Sequence, residues 1–234
     1  MLYLIGLGLN FDGISSYGIE IAKRCKRLYL ESYTVDFPYA KGDLQELIGK
    51  KLIDADRSKV ESLELVDEAK KMDVGLLIYG SPLMATTHIT LIQEAKASGI
   101  KAKAIHAGSV FDAVAETGLQ LYKFGKITSI PNFKADSFAK TIQENLSMHA
   151  HSLILVDIGM EFVDALESLE NALKIHGIKL DKIVICQTLG TKNKKIMYKT
   201  LEEARGLTGV RRPYCIVIPS KLHFAEKEFL ETFK

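Results

Sequence analysis

Residues 74–110 read VGLLIYGSPLMATTHITLIQEAKASGIKAKAIHAGSV, and their pattern decides the fold class. Val74 to Tyr79 is an apolar run of strand length, closed by Gly80-Ser81-Pro82. Thr86 to Ser98 follows a helical pattern that Gly99 stops, and Lys101 to Ile105 returns as a strand. A strand, a crossover helix and a second strand describe a βαβ unit with parallel strands. Two junctions, Gly80 to His88 and His106 to Val110, run from a strand into a helix. In an open α/β sheet, ligands bind at that carboxyl edge of the strands.

The alternation continues in both directions. Tyr3 to Ile5 begins a strand that ends in Gly6 and Gly8, and Ile14 to Cys25 is a helix with Ser15 or Ser16 near its cap. Arg27 to Glu31 is a strand, and Ser58 to Lys71 a charged amphipathic helix. Beyond the opening stretch, Val110 to Thr117 and Ser137 to Met148 are helical, Ile127 to Ile130 is extended, and Leu153 to Ile158 is a strand. Phe162, Leu166, Leu169 and Leu173 form a helical stripe ended by Gly177. Lys182 to Gln187 and Tyr214 to Ile218 are strands, Gly190 to Lys195 is an exposed loop, and Phe224 to Phe233 is a terminal helix. The expected class is α/β, with two lobes of mostly parallel sheet covered by helices. The boundary falls near Ala107 and Gly108, giving an amino-terminal lobe 1–107 and a carboxyl-terminal lobe 108–234.

Composition narrows the classes of function. The chain has 234 residues, 47% of them hydrophobic, enough for sizeable cores. Its net charge of +2 gives no overall signature of nucleic-acid binding. Three scattered cysteines, with no CxxC pair, point to a reducing compartment and a cytoplasmic location, and Cys186 and Cys215 lie in apolar runs as core residues. The start MLYLIGLGLN has no basic leader, and no run reaches the ~18 apolar residues of a membrane span, so neither signal peptide nor anchor is expected.

Three turns are candidates for chemistry. GLGL at Gly6 to Leu9 allows close backbone approach to a ligand. The spacing Gly6, Gly8, Gly13 departs from GxGxxG, and Glu31 is the one acid near the end of the next strand, so a dinucleotide site is weakly indicated. In the second turn, Thr86 or Thr87 also suits a helix cap, and a single His88 also suits a packed structural role. In the third, Ser109 suits either a cap or a ligand contact. His149 and His151 lack a third metal ligand at a recognised spacing and read as a solvated helix end. Neither GxSxG nor a Walker loop occurs. Lys192, Lys194, Lys195, Lys199, Arg211 and Arg212 read as solvated charge or as contacts to an acidic or RNA-bound partner.

Several segments together resemble the diphthine synthases, a family of tetrapyrrole-methylase-like methyltransferases. YLIGLGL with the helix GIEIAKRC is similar to that family's opening, and GSPLMATTH to its GDPLxATTH turn. IHAGSV followed by TGLQLYKFG resembles its HxxSI and TGLxxYKFG segments, and IPSKLHFAEKEFLE its ending. The resemblance spans nearly the whole chain. It implies two α/β lobes, S-adenosylmethionine in the cleft between them with S-adenosylhomocysteine as product, and a homodimer. It implies methylation of the amino group of the carboxypropyl-histidine intermediate on translation elongation factor two, within diphthamide biosynthesis. No metal, membrane or direct nucleic-acid partner is expected. By the same resemblance the cofactor contacts are Leu9, Ser81, Met84, Ser109 and Val110, joined by Val156, Leu189 and Tyr214. Ser81 stands where the family usually carries aspartate. The transfer needs no nucleophilic side chain, and His88 or His106 is available to accept the amine proton. Two alternatives stay open: a methyltransferase of the same fold acting on a small molecule such as a corrinoid precursor, and a non-catalytic binding protein.

Overall fold

In the computed structural model, which describes all residues 1–234, the chain divides into two units, Met1–Val110 and Phe111–Lys234. The first unit runs β1 (Leu2–Gly6), α1 (Ser16–Arg24), β2 (Arg27–Glu31), α2 (Lys41–Ile48), β3 (Ile53–Ala55), α3 (Arg57–Glu61), α4 (Glu64–Ala69), β4 (Val74–Ile78), α5 (Ile89–Ala97) and β5 (Ala102–Ile105). Its sheet is parallel throughout, in the order β3-β2-β4-β1-β5. Every residue of β1 and β4 is buried, as a parallel strand covered on both faces requires. Alternation along β1 separates two cores. Tyr3 and Ile5 pack with Ile21 of α1 and Leu44 and Ile48 of α2, while Leu2 and Leu4 pack with Leu65 of α4 and Leu91 of α5.

The charged helix expected over Ser58 to Lys71 is two helices, broken where Leu63 takes a left-handed φ of 64°. Burial explains the break. At about 100° per residue, one continuous helix would set Val60 almost opposite Leu65, Val66 and Ala69. All four are buried in the same core, so the chain must reset its direction between them. The short strand β3 and helix α2 lie in stretches too polar to signal themselves. Ser15 caps α1 through a bond from the Gly18 amide, as its position suggested.

The second unit continues with α6 (Val110–Ala113), which begins at the junction, then β6 (Thr128–Ile130), α7 (Ser137–Ser147), β7 (Ser152–Val156) and α8 (Phe162–Ile175). It closes with β8 (Lys182–Gln187), β9 (Lys195–Thr200), α9 (Leu201–Arg205), β10 (Tyr214–Ile218) and α10 (Phe224–Leu230). The sheet order is β6-β7-β10-β8-β9. Here only β6 and β7 are parallel; β10 runs against both its neighbours, and β9 runs against β8. Residues 188–194 alone join β8 to β9, too short a link for a parallel crossover, which takes a dozen or more residues. The stripe Phe162, Leu166, Leu169 and Leu173 of α8 is buried as its period required. Cys186 and Cys215 face each other in register within the buried sheet.

One buried charge ties this unit together. Glu226, 1% exposed in α10, accepts bonds from the amides of Gln120 (3.0 Å) and His223 (2.7 Å), from Lys123 Nζ, and from His151 Nε2 (3.2 Å). His151 is fully buried, so the reading of a solvated helix end holds for His149 and not for its neighbour. The Ser220 amide donates to His151 Nδ1 at 2.9 Å, which leaves Nε2 to carry the proton it gives to Glu226. Burial by itself would raise the Glu226 pKa and is the largest single influence. The four donors together outweigh it and hold the carboxyl at about 2. An unfolded chain lacks those donors, so this contribution to stability is complete above about pH 5 and is lost as pH falls toward the folded value. Replacing Glu226 by Gln should cost about 3–5 kcal/mol, because it strands Lys123 beside a neutral group. Urea unfolding at neutral pH measures that loss. Acid titration of stability should be flatter in the variant than in the wild type; parallel profiles would show that Glu226 titrates as an ordinary carboxylate.

Candidate functional site

The three strand-to-helix turns of the first unit meet at Gly6. A Cβ there would lie 2.7 Å from the Gly80 carbonyl oxygen, 3.0 Å from Pro82 Cδ and 3.1 Å from Ala107 Cβ. Any side chain would therefore push all three turns apart. The first two are also latched by reciprocal backbone bonds, Gly8 N–H to Gly80 O at 3.2 Å and Gly80 N–H to Gly8 O at 2.9 Å. Both glycines have φ near +70°, a conformation that costs other residues free energy.

Leu9 follows this latch. Its carbonyl accepts from the Tyr79 hydroxyl at 3.1 Å, and Tyr79 packs against Phe37 and Tyr39. Nothing in the sequence pattern had singled out Tyr79, which reads there as the last apolar residue of a strand. The second turn bends tightly, with the Met84 amide bonded to Ser81 O at 3.1 Å and the Thr86 hydroxyl donating to Pro82 O at 3.1 Å. Thr86 therefore closes the turn, and α5 starts three residues later, at Ile89. Ser81 Oγ lies 3.3 Å from Nδ1 of His106, which is exposed at the end of β5. In the third turn Ser109 is buried, and Val110 opens α6. A Cβ on Gly80 would meet nothing nearer than Gly108 O and Ser109 Cα, both at 3.9 Å, so the second and third turns leave room between them.

Two acid–base candidates are thereby separated. His88 is 2% exposed, its Nε2 lies 3.3 Å from the Tyr33 hydroxyl, and burial lowers its pKa. It packs against the segment after β2 and supports the turn from behind. His106 stands at the turn edge itself. Glu31, the acid at the end of β2, is fully buried and accepts from the amides of Tyr33 (2.8 Å) and Thr34 (2.9 Å) and from the Thr34 hydroxyl (2.6 Å). It is consumed in shaping its own turn.

The second unit gathers the remaining expected contacts along one sheet edge. Because β10 is antiparallel to both neighbours, its first residue sits beside their last. Tyr214 pairs with Gln187 of β8, and Cys215 with Leu155 of β7, which sets Tyr214 beside Val156. Leu189 follows two residues after Gln187 and is buried, and the Thr188 amide donates to Pro213 O at 2.8 Å. The Tyr214 hydroxyl donates to Met160 O at 3.2 Å. Of the basic residues nearby, Lys194 pairs with Glu116 and Arg212 with Glu161.

Comparison with known proteins agrees with this geometry. Residues 1–205 match the family described as Tetrapyrrole (Corrin/Porphyrin) Methylases. The chain is 35% identical to the diphthine synthase of Methanocaldococcus jannaschii over 251 aligned positions, covering 99% of this chain and 98% of that protein. It is 44% identical to the diphthine methyl ester synthase of Schizosaccharomyces pombe over 166 positions, 68% of this chain and 58% of that one. A crystal structure of diphthine synthase superposes with a TM-score of 0.92 at 30% identity, covering 99% of this chain and 95% of the other. The parallel sheet, its three turns and the extent of these matches agree: the chain belongs to the tetrapyrrole methylases.

Proposed function

We propose that the chain is an S-adenosylmethionine-dependent methyltransferase with diphthine synthase activity. In this reading it methylates the amino group of the carboxypropyl-histidine intermediate on translation elongation factor two. The observation that carries the reading is the similarity to a diphthine synthase, 35% identical across 99% of this chain and 98% of that protein, an extent that takes in the TGLQLYKFG and SKLHFAEKE segments of this chain. A cytoplasmic location and a homodimer belong to the same proposal. No helix is long and apolar enough to cross a membrane.

The turn edge of the first unit suits the cofactor. Its glycines let the three turns close on one another, and beside Gly80 the space is bounded by the backbone of Gly108 and Ser109. Leu9, Ser81, Met84, Ser109 and Val110 are the proposed contacts there; Val156, Leu189 and Tyr214 are the proposed contacts from the second unit. When bound, S-adenosylmethionine supplies a methyl group on a positively charged sulfur, already an effective leaving group. The chain's task is to hold donor and acceptor in line. Well-oriented reactants behave as if at about 10⁵ M or more, so positioning supplies much of the acceleration. Tyr79 fixes the Leu9 carbonyl, and the Gly8–Gly80 latch fixes the two turns relative to each other, so the contact atoms are rigid before binding. His106, exposed beside Ser81, is the histidine available at this edge to take the amine proton.

Isothermal titration should show S-adenosylmethionine and S-adenosylhomocysteine each binding with a stoichiometry of about one per chain. Absence of heat with either at millimolar concentration would refute the enzymatic reading. Mass spectrometry of elongation factor two should then show methyl addition to the carboxypropyl-histidine form and none to the unmodified protein; equal labelling of both would reject the substrate assignment. Light scattering at tens of micromolar should give twice the mass of one chain.

A further inference from the structure

We propose that Ser81 and His106 act as one recognition unit, with His106 the positioning residue that orients the Ser81 hydroxyl toward the cofactor. The inference rests on the cofactor reading above and adds a role for a residue outside the contact set. Its basis is the arrangement at the carboxyl edge of the parallel sheet. Ser81 follows β4 and His106 follows β5, the two strands that flank β1. Their turns are brought together at Gly6, where Gly80 and Ala107 both lie within van der Waals contact of the missing Cβ. Ser81 Oγ and His106 Nδ1 are 3.3 Å apart.

A lone serine hydroxyl is a free rotor with one proton and two lone pairs. It has no preferred partner until a ligand arrives, and fixing it then opposes binding. An imidazole nitrogen at hydrogen-bond distance changes this. If Nδ1 is bare, it accepts a hydrogen bond from the hydroxyl and leaves the oxygen's lone pairs for a ligand donor. If Nδ1 carries the proton, it occupies one lone pair and leaves the hydroxyl free to donate. In both cases the rotor is fixed before the ligand arrives. The pair also presents two groups to solvent, Ser81 Oγ and His106 Nε2, suited to polar groups such as ribose hydroxyls or an amino-acid end. His88 cannot serve, because it is buried and engaged with Tyr33. The tight turn from Ser81 to Met84 holds the serine backbone, so the side-chain torsion is the freedom that His106 removes.

The test is the dissociation constant of S-adenosylhomocysteine, by isothermal titration, for wild type, Ser81→Ala, His106→Leu, His106→Asn and the Ser81→Ala/His106→Leu double variant. Each side-chain deletion removes the same hydrogen-bonding unit, so each should weaken binding about three- to tenfold, as expected for loss of one neutral hydrogen bond. The double variant should be no weaker than the weaker single. His106→Asn should bind within twofold of wild type, since its amide reaches the position of Nδ1 and can donate or accept. Circular dichroism confirms that each variant is folded, and the exposure of His106 predicts that each will be. Wild-type binding with an unaffected His106→Leu variant, or a double variant whose loss equals the product of the singles, overturns the pairing alone. No binding by the wild type overturns the cofactor reading and the pairing with it.

Discussion

The close approach of three turns at Gly6 is the constraint on which the first unit depends. The Gly80 carbonyl stands 2.7 Å from where a Cβ would be, nearer than any side chain permits. That contact allows Gly8 and Gly80 to exchange backbone bonds past the ends of β1 and β4. The exchange prolongs the pairing of two parallel strands by one antiparallel step, with both residues at positive φ. Backbone atoms that would end as frayed loops are instead fixed at the edge where a parallel sheet binds ligands. Tyr79 adds to this from within β4's extension, binding the Leu9 carbonyl while its ring packs with Phe37 and Tyr39.

In the second unit a charged group has the corresponding role. Segments 118–126 and 220–230 are joined by Glu226 and its four donors, and the first is also bridged to His151 by a single parallel pairing at Phe124. A buried carboxylate is destabilising unless every lone pair is met, and once met it admits few alternative packings. Two of the segments that carry the resemblance to diphthine synthases, TGLQLYKFG and SKLHFAEKE, contribute Lys123, His223 and Glu226 to this cluster. Within them, Lys123 meets Glu226 through its side chain and His223 through its backbone amide, while the buried histidine of the cluster, His151, comes from outside both segments. The exposed neighbours Tyr122 and Phe224 are carried on that rigid frame.

The legible parts of the sequence were those with a local cause. The all-parallel first sheet followed from alternating buried runs and helices, and the helix stripe of α8 from its period. The three turns were recognised because glycine and proline must sit where strands end. The rest depended on partners distant in sequence. The break at Leu63 follows from burying Val60 with Leu65, Val66 and Ala69, which local periodicity does not reveal. The antiparallel direction of β9 follows from a short link, and its apolar run, Ile196 to Tyr198, is too short to announce a strand beyond the expected loop Gly190 to Lys195. His151 looked solvated because its partner Glu226 lies 75 residues away. Tyr79 looked like one more apolar strand residue because the hydroxyl's acceptor, Leu9 O, belongs to another turn.

That division has a chemical counterpart. An enzyme that builds a nucleophile or a metal centre needs reactive side chains at defined spacing, and these are visible in a sequence. Methyl transfer from a sulfonium donor requires chiefly that two reactants be held in line while water is kept away. The selection then falls on backbone: which residues lack a Cβ, which tolerate positive φ, and which carbonyls are fixed. Such a site shows itself as punctuation, a glycine or proline at the end of a strand, rather than as a motif of reactive groups. In the proposed site, the side chains that matter beyond the contacts are Tyr79, bonded to the Leu9 carbonyl, and His106, beside the Ser81 hydroxyl. Their loss should leave the fold in place and weaken binding gradually. Tyr79 carries no mark of this in the sequence and His106 stands there only as a proton acceptor; the geometry of the three turns gives each its partner.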